Sequence, residues 1–116
     1  MNSKIKYLLS FLFDVTIETT ESILNPILKI VLRNGRLLLN TQNANYTYGS
    51  LEDAFKFVFK KIKIEDKKLN KILILGFGCG SVAALFNGYI NIEITGIEAD
   101  EKVLELYEKY FIEEVK

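Results

Sequence analysis

The stretch KILILGFGCGS, residues 71–81, decides the fold. Residues 72–75 are all apolar, and glycine then occupies every second position across residues 76–80. A short continuous apolar run predicts a β-strand that is covered on both faces. Glycines directly after a strand permit a sharp turn and leave bare backbone that a ligand can approach. We therefore expect a strand, a tight turn and a helix that begins near Ser81.

From residue 71 onward the predicted order is strand, glycine turn, helix, strand, acid and helix. Residues 92–98 are predicted to form the next strand, which ends in Glu98, 22 positions after Gly76. A carboxylate at this place binds the ribose diol in nucleotide-binding βαβ units, although acids also end strands as solvated residues. Asp100 either caps the next helix or contacts a ligand. Residues 49–116 are thus predicted to form the first half of a Rossmann-like nucleoside-binding domain.

The spacing of the glycines separates two kinds of ligand. Nicotinamide and flavin folds favour G-x-G-x-x-G, which cradles a pyrophosphate, whereas this turn reads G-x-G-x-G with serine at position 81. The tighter form resembles the first motif of class I methyltransferases, whose ligand carries no phosphate. A tight turn without a ligand is the structural alternative. The candidate cofactor-binding residues are Gly76, Phe77, Gly78, Gly80, Glu98 and Asp100.

The region before the glycine turn, residues 1–48, is predicted to be rich in β-strand with a short leading helix at residues 4–12. Asn34-Gly35 lies between two apolar runs and predicts a hairpin with a two-residue loop, which places Arg33 opposite Arg36. Ser50 is predicted to cap the helix that follows this region.

Composition excludes several classes of function. Basic and acidic residues number 15 each, so no net charge attracts nucleic acid or an anionic membrane. The absence of histidine excludes Ser-His and Cys-His catalytic pairs and removes the commonest zinc ligand, so we expect no metal site. The single cysteine, Cys79, fits a reducing, cytoplasmic setting and is either a small apolar filler or a thiol activated by the helix that follows.

The apolar residues 7–13 follow two lysines and resemble the hydrophobic region of a signal peptide. The run is too short to span a bilayer, and no small-residue cleavage site follows it. We therefore expect an ordinary buried or surface-docked segment.

Three stretches resemble the spermidine synthases, a branch of the class I S-adenosylmethionine-dependent methyltransferase superfamily. Residues 72–81 are similar to the glycine motif of that family, and residues 95–100 are similar to its next block. The hairpin residues 35–40, together with Gln42, Tyr46 and Tyr48, resemble the β-hairpin region that precedes the Rossmann-like domain. The resemblance covers residues 27–112.

The resemblance implies a pocket for S-adenosylmethionine or decarboxylated S-adenosylmethionine, lined by the glycine turn and Glu98. It implies that Gln42 lies near the amino acid or polyamine end and that Tyr48 lies on the substrate side. Packing of the hairpin edge on the following helix is the alternative for Gln42, Tyr46 and Tyr48. The implied partners are a small-molecule acceptor of the amine type and a second copy of the chain, because relatives are often dimers.

The departures from the family pattern concern chemistry and length. Cys79 stands where the family has an acid, and Gly49-Ser50 follows Tyr48 where the family has His-Glu or similar. These changes favour a divergent relative, such as a methyltransferase, over an aminopropyltransferase. The family's catalytic aspartate would lie beyond Lys116, so we expect the 116-residue chain to be incomplete and inactive by itself. A non-catalytic binding or dimerisation module and a fragment of an NAD-dependent enzyme are the alternatives.

Overall fold

The computed structural model describes residues 1–116. Its helices and strands follow in the order α1 (Ser3–Leu9), β1 (Val15–Thr20), β2 (Leu28–Arg33), β3 (Arg36–Thr41), β4 (Asn45–Thr47), α2 (Ser50–Lys61), β5 (Lys71–Leu75), α3 (Ser81–Ala84), β6 (Glu93–Ile97) and α4 (Glu101–Tyr110), with short 3-10 helices at Ile64–Asp66 and Ile112–Glu114. The first four strands form an antiparallel sheet in chain order, and β5 and β6 form a parallel pair. The predicted α/β class is confirmed at this level. None of the helices is both long and apolar enough to cross a membrane.

The predicted hairpin joins β2 to β3. Asn34 and Gly35 take φ values of 50° and 74°, as a two-residue turn of this type requires, and Arg33 pairs with Arg36. Each arginine has its own acidic partner, because Arg33 binds Asp14 and Arg36 lies 2.9 Å from a carboxylate oxygen of Glu52. The like charges are therefore separately neutralised.

The first helix ends earlier than the sequence predicts, at Leu9 instead of residue 12. Ser10 is buried and connects the end of this helix to the hairpin turn. Its carbonyl oxygen accepts from the Asn34 N–H at 2.8 Å, and its hydroxyl oxygen accepts from the Gly35 N–H at 2.9 Å. These long-range hydrogen bonds fix the direction in which the chain leaves the helix.

One apolar core is shared by the antiparallel sheet and the part of the chain that contains the parallel pair. The buried cluster contains Leu28, Ile30, Leu38, Leu39, Tyr48, Cys79, Val103, Leu106 and Phe111. The Tyr48 and Phe111 rings stack with their centroids 5.0 Å apart and so join the two regions. Residues 1–48 and 49–116 are thus not separate cores.

Strand β5 is covered on only one face in this chain, which corrects the expectation of cover on both. Ile74 is buried, whereas the side chains of Leu73 and Leu75 are 59% and 73% exposed. Because side chains alternate along a strand, these two leucines lie together on the open face. The edge of β5 that faces away from β6 also has no strand partner.

Candidate functional site

The glycine turn lies at the carboxyl end of the parallel pair. Gly76, Gly78 and Gly80 have φ values of 78°, 60° and 87°, in the left-handed region that favours glycine. The N–H groups of Gly76 and Phe77 both donate to the carbonyl oxygen of Ile97, at 2.8 and 2.9 Å. The turn is therefore fixed against the end of β6, which is the point from which Glu98 projects.

Phe77 holds the turn over the second strand. A Cβ atom added at Gly96 would lie 2.3 Å from a ring carbon of Phe77, so the ring occupies the space that a side chain at position 96 would need. The same ring makes a T-shaped contact with the Tyr107 ring, with centroids 5.1 Å apart. Phe77 also lines the groove described below, and its contacts show it packing the turn against β6 and α4.

Glu98 lies against the glycine turn, as the spacing predicts. Its Oε2 accepts from the Gly78 N–H at 2.8 Å, and its Oε1 accepts from the Asp100 N–H at 3.1 Å. The Tyr46 hydroxyl also lies 3.5 Å from Oε1. Glu98 is half-buried, and both of its carboxylate oxygens accept hydrogen bonds. It is therefore not a fully solvated residue at the end of a strand.

Asp100 caps α4 and joins that helix to the loop between β1 and β2. Its Oδ1 accepts from the Lys102 N–H at 3.0 Å, and its Oδ2 accepts from the Ser22 hydroxyl at 2.5 Å and the Asn25 side-chain amide at 2.7 Å. The carboxyl group is buried, and burial alone would raise its pKa. The hydrogen bonds from Ser22, from Asn25 and from the backbone N–H groups of Lys102 and Val103 together outweigh burial and lower the pKa. The capping interpretation is confirmed, and both carboxylate oxygens of Asp100 accept hydrogen bonds from protein donors.

We expect Asp100→Ala to lower the free energy of unfolding at pH 7 by about 1–2 kcal/mol, the scale for loss of a helix cap. Because the folded-state pKa is depressed, this stabilisation is present above the ordinary aspartate pKa of about 4 and is lost as pH falls through the folded value. The difference between parent and variant should therefore shrink below roughly pH 4. Urea unfolding at pH 7, 5 and 3 measures it, with the exposed Asp66→Ala as control; a difference independent of pH would contradict the assignment.

Three consecutive residues at and just after the end of β4 contact the glycine turn and its acid. Tyr46 approaches Glu98, the Thr47 hydroxyl lies 2.8 Å from the Ser81 hydroxyl, and the Tyr48 hydroxyl donates to the carbonyl oxygen of Cys79 at 3.0 Å. The end of β4 is therefore part of the site. The resemblance in sequence includes Tyr46 and Tyr48 but assigns a substrate-side place only to Tyr48, and it does not include Thr47.

The structure places Tyr48 in the core, which corrects the expectation of a substrate-facing side chain. Its φ of 61° at the end of β4 turns the ring inward, where it is 1% exposed and stacked on Phe111. Burial raises the pKa of its hydroxyl. Tyr48 does pack inside the protein, but against Phe111 after α4 rather than on the helix that follows the hairpin, and the neighbouring Tyr46 approaches Glu98 instead.

Gln42 lies apart from the glycine turn. It is exposed in the loop between β3 and β4 and lines a shallow depression with Arg33, Asn40 and Ser50. No residue of the glycine turn lines that depression. The structure therefore does not bring Gln42 together with Glu98.

Cys79 belongs to the glycine turn, and its small side chain packs in the buried apolar cluster. Its side chain is fully buried, and burial, with the nearby Glu98 carboxylate, raises the pKa of its thiol. A buried thiol with a raised pKa is a poor nucleophile. No cluster of side chains suited to a metal ion is present.

A groove of about 800 Å³ runs from the glycine turn along the free edge of β5 and under α2. Of its 19 lining residues 13 are hydrophobic, including Phe55 and Phe59 of α2, and Tyr46 forms part of its wall. Small-molecule sites typically have this size and an apolar lining with few polar groups. Only one charged residue, Lys71, lines it, and no carboxylate does.

Searches against family models, curated proteins and solved structures gave no match to this chain.

Proposed function

We propose that this chain is the nucleoside-binding part of a transferase that uses S-adenosylmethionine or its decarboxylated form, of the spermidine synthase-like kind. The observation that carries the proposal is the 2.8 Å hydrogen bond between the Gly78 N–H and Glu98. It joins a glycine turn at the end of one parallel strand to a carboxylate at the end of the next. Nucleoside sites of Rossmann-like domains use this combination.

The position of Glu98 favours a nucleoside without phosphate over NAD. In dinucleotide-binding folds the second glycine lets the backbone approach the pyrophosphate. Here the Gly78 N–H already donates to a carboxylate, so a pyrophosphate at that place would meet like charge. Helix α3 is also only four residues long and offers little dipole to offset that repulsion.

The chemistry proposed for the groove is positioning. A sulfonium already makes its thioether a good leaving group, so the protein must orient the donor and, for an amine acceptor, supply a base. The groove contains no carboxylate that could act as that base. We therefore propose that the chain binds the nucleoside and has no methyl or aminopropyl transfer activity by itself.

A non-catalytic module that associates with a second chain is the second candidate. It is favoured by Leu73 and Leu75, which project from an uncovered face, and by the unpaired edge of β5. Exposed apolar strand edges of this kind promote association. Sedimentation analysis with and without ligand distinguishes obligate association from ligand binding by the monomer.

We expect Glu98→Ala to weaken binding of S-adenosylmethionine and methylthioadenosine by about 1.5–3 kcal/mol, the scale for hydrogen bonds to a charged group. Protein-observed NMR titration suits the weak affinity expected of an open groove. The matched control is Glu93→Ala, at the opposite end of β6, which should leave affinity unchanged.

Two results would contradict the proposal. Equal affinity in the parent and in Glu98→Ala, with the circular dichroism spectrum retained, would remove Glu98 from the site. Binding of NAD in preference to S-adenosylmethionine would support the dinucleotide alternative.

A further inference from the structure

We propose that Tyr46 binds a ribose hydroxyl of the nucleoside together with Glu98, so that β4 of the antiparallel sheet selects for a ribonucleoside. The inference rests on the proposed function and adds a residue outside the βαβ unit to it. Its basis is the geometry around one carboxylate oxygen.

The contacts of Glu98 differ in strength. The backbone N–H groups of Gly78 and Asp100 hold the carboxylate at 2.8 and 3.1 Å. The Tyr46 hydroxyl is 3.5 Å from Oε1, well beyond the roughly 2.7–2.8 Å of a good O–H···O hydrogen bond. The contact with the phenol is therefore the one that a ligand can replace at least cost.

A hydroxyl group has the right chemistry to bridge the two residues. It can donate to the carboxylate and accept from the phenol at the same time. Two hydrogen bonds of ordinary length that meet at one oxygen span about 4.5 Å, so the bridge requires Tyr46 to withdraw by about 1 Å. Tyr46 forms part of the groove wall beside Gly76, Phe77 and Gly78, whereas Glu98 does not line the groove.

The backbone beside Tyr46 is anchored, which keeps the phenol in reach of the ligand. Thr47 contacts the Ser81 hydroxyl and Tyr48 donates to the Cys79 carbonyl oxygen. A Cβ atom at Gly78 would lie 3.8 Å from the Tyr46 ring, so the ring also borders the turn itself. Burial and the Glu98 carboxylate raise the pKa of Tyr46, which keeps the phenol protonated as a donor near neutral pH.

The test is a comparison of Tyr46→Phe with the parent in NMR titrations of methylthioadenosine and its 2′-deoxy and 3′-deoxy forms. We expect the substitution to weaken methylthioadenosine about 5- to 10-fold, the effect of one hydrogen bond. At least one deoxy form should bind the parent and Tyr46→Phe equally, because it lacks the bridged hydroxyl. The control is Tyr110→Phe, whose phenol also donates to a carboxylate, that of Glu18 on β1.

The possible failures are distinguishable. If the parent binds methylthioadenosine and Tyr46→Phe binds it equally well, the role of Tyr46 is wrong and the proposed function stands. If Tyr46→Phe weakens all three ligands by the same factor, the residue acts through the fold and the inference is also overturned. If the parent binds none of them, the proposed function fails and this inference fails with it.

Discussion

Phe111→Ala is expected to lower the free energy of unfolding by about 3–5 kcal/mol, the range for removal of a buried aromatic side chain. Phe111 is 1% exposed and follows α4 directly. Its ring stacks on Tyr48, which directly follows β4, and belongs to the cluster that also contains Val103 and Leu106. The substitution therefore leaves a cavity between the two halves of the chain.

Urea unfolding followed by circular dichroism measures this effect. The matched control is Ile112→Ala, because the neighbouring side chain is 51% exposed and should cost well under 1 kcal/mol. Phe111→Leu retains part of the volume and should lose less than alanine, which keeps the test informative if the alanine variant is too unstable to isolate. A loss for Phe111→Ala no larger than that for Ile112→Ala would show that the two halves do not share a core.

Gly80→Ala is expected to cost about 2–5 kcal/mol, because two penalties coincide at this position. Its φ of 87° is left-handed, which costs a residue with a Cβ about 1–2 kcal/mol. The added atom would also lie 2.7 Å from a methyl group of Val115 and 3.1 Å from the Phe77 ring. Overpacking of this kind typically costs a further 1–3 kcal/mol.

Gly76→Ala isolates the first penalty. Gly76 has a similar φ of 78°, but a Cβ there would have no neighbour within 4 Å, so only the conformational cost of about 1–2 kcal/mol should appear. In the double variant Gly80→Ala/Val115→Ala, part of the steric loss should be recovered as a coupling energy. Equal losses for Gly76→Ala and Gly80→Ala in urea unfolding would contradict the packing around Gly80.

The glycine variants are poor tests of nucleoside binding, because they disturb the turn itself. Phe77 contacts both Gly80 and Gly96 with its ring, so changes at either glycine displace the same side chain. Loss of nucleoside affinity in such variants would follow from a displaced turn. Tyr46→Phe is the cleaner probe of binding, because it adds no atom to the turn and leaves the Glu98 hydrogen bond to the Gly78 N–H in place.

The sequence by itself determined the features that depend on neighbours in the chain. Asn34-Gly35 specified a two-residue turn and the pairing of the flanking strands, because few residues other than asparagine and glycine adopt positive φ there. The apolar run before the glycines specified a strand, and the position of Glu98 placed its carboxylate at the glycine turn. Parallel strands that both end at one edge must bring these two features together.

Only the tertiary structure decided which side chains face the groove. The positive φ of Tyr48 turns its ring into the core and leaves Tyr46 beside Glu98, which alternation along a regular strand does not predict. The start of α2 was also decided at a distance. The side chain of Asn45, rather than Ser50, accepts from the Leu51 N–H at 3.1 Å, and Gly49 occupies the capping position.

The side-chain partners of Asp100 and the burial of β5 also depend on segments that are distant in the sequence. The sequence offered two interpretations of Asp100, and the cap on α4 was one of them. It did not predict the hydrogen bonds from Ser22 and Asn25 to Asp100, which join residues more than 70 positions apart. The apolar pattern of β5 predicted two covered faces. The face that carries Leu73 and Leu75 is open, because no other segment of the chain packs over these two side chains. Turns and strand patterns are set by backbone conformations a few residues long, whereas burial and side-chain partners depend on which distant segments pack together.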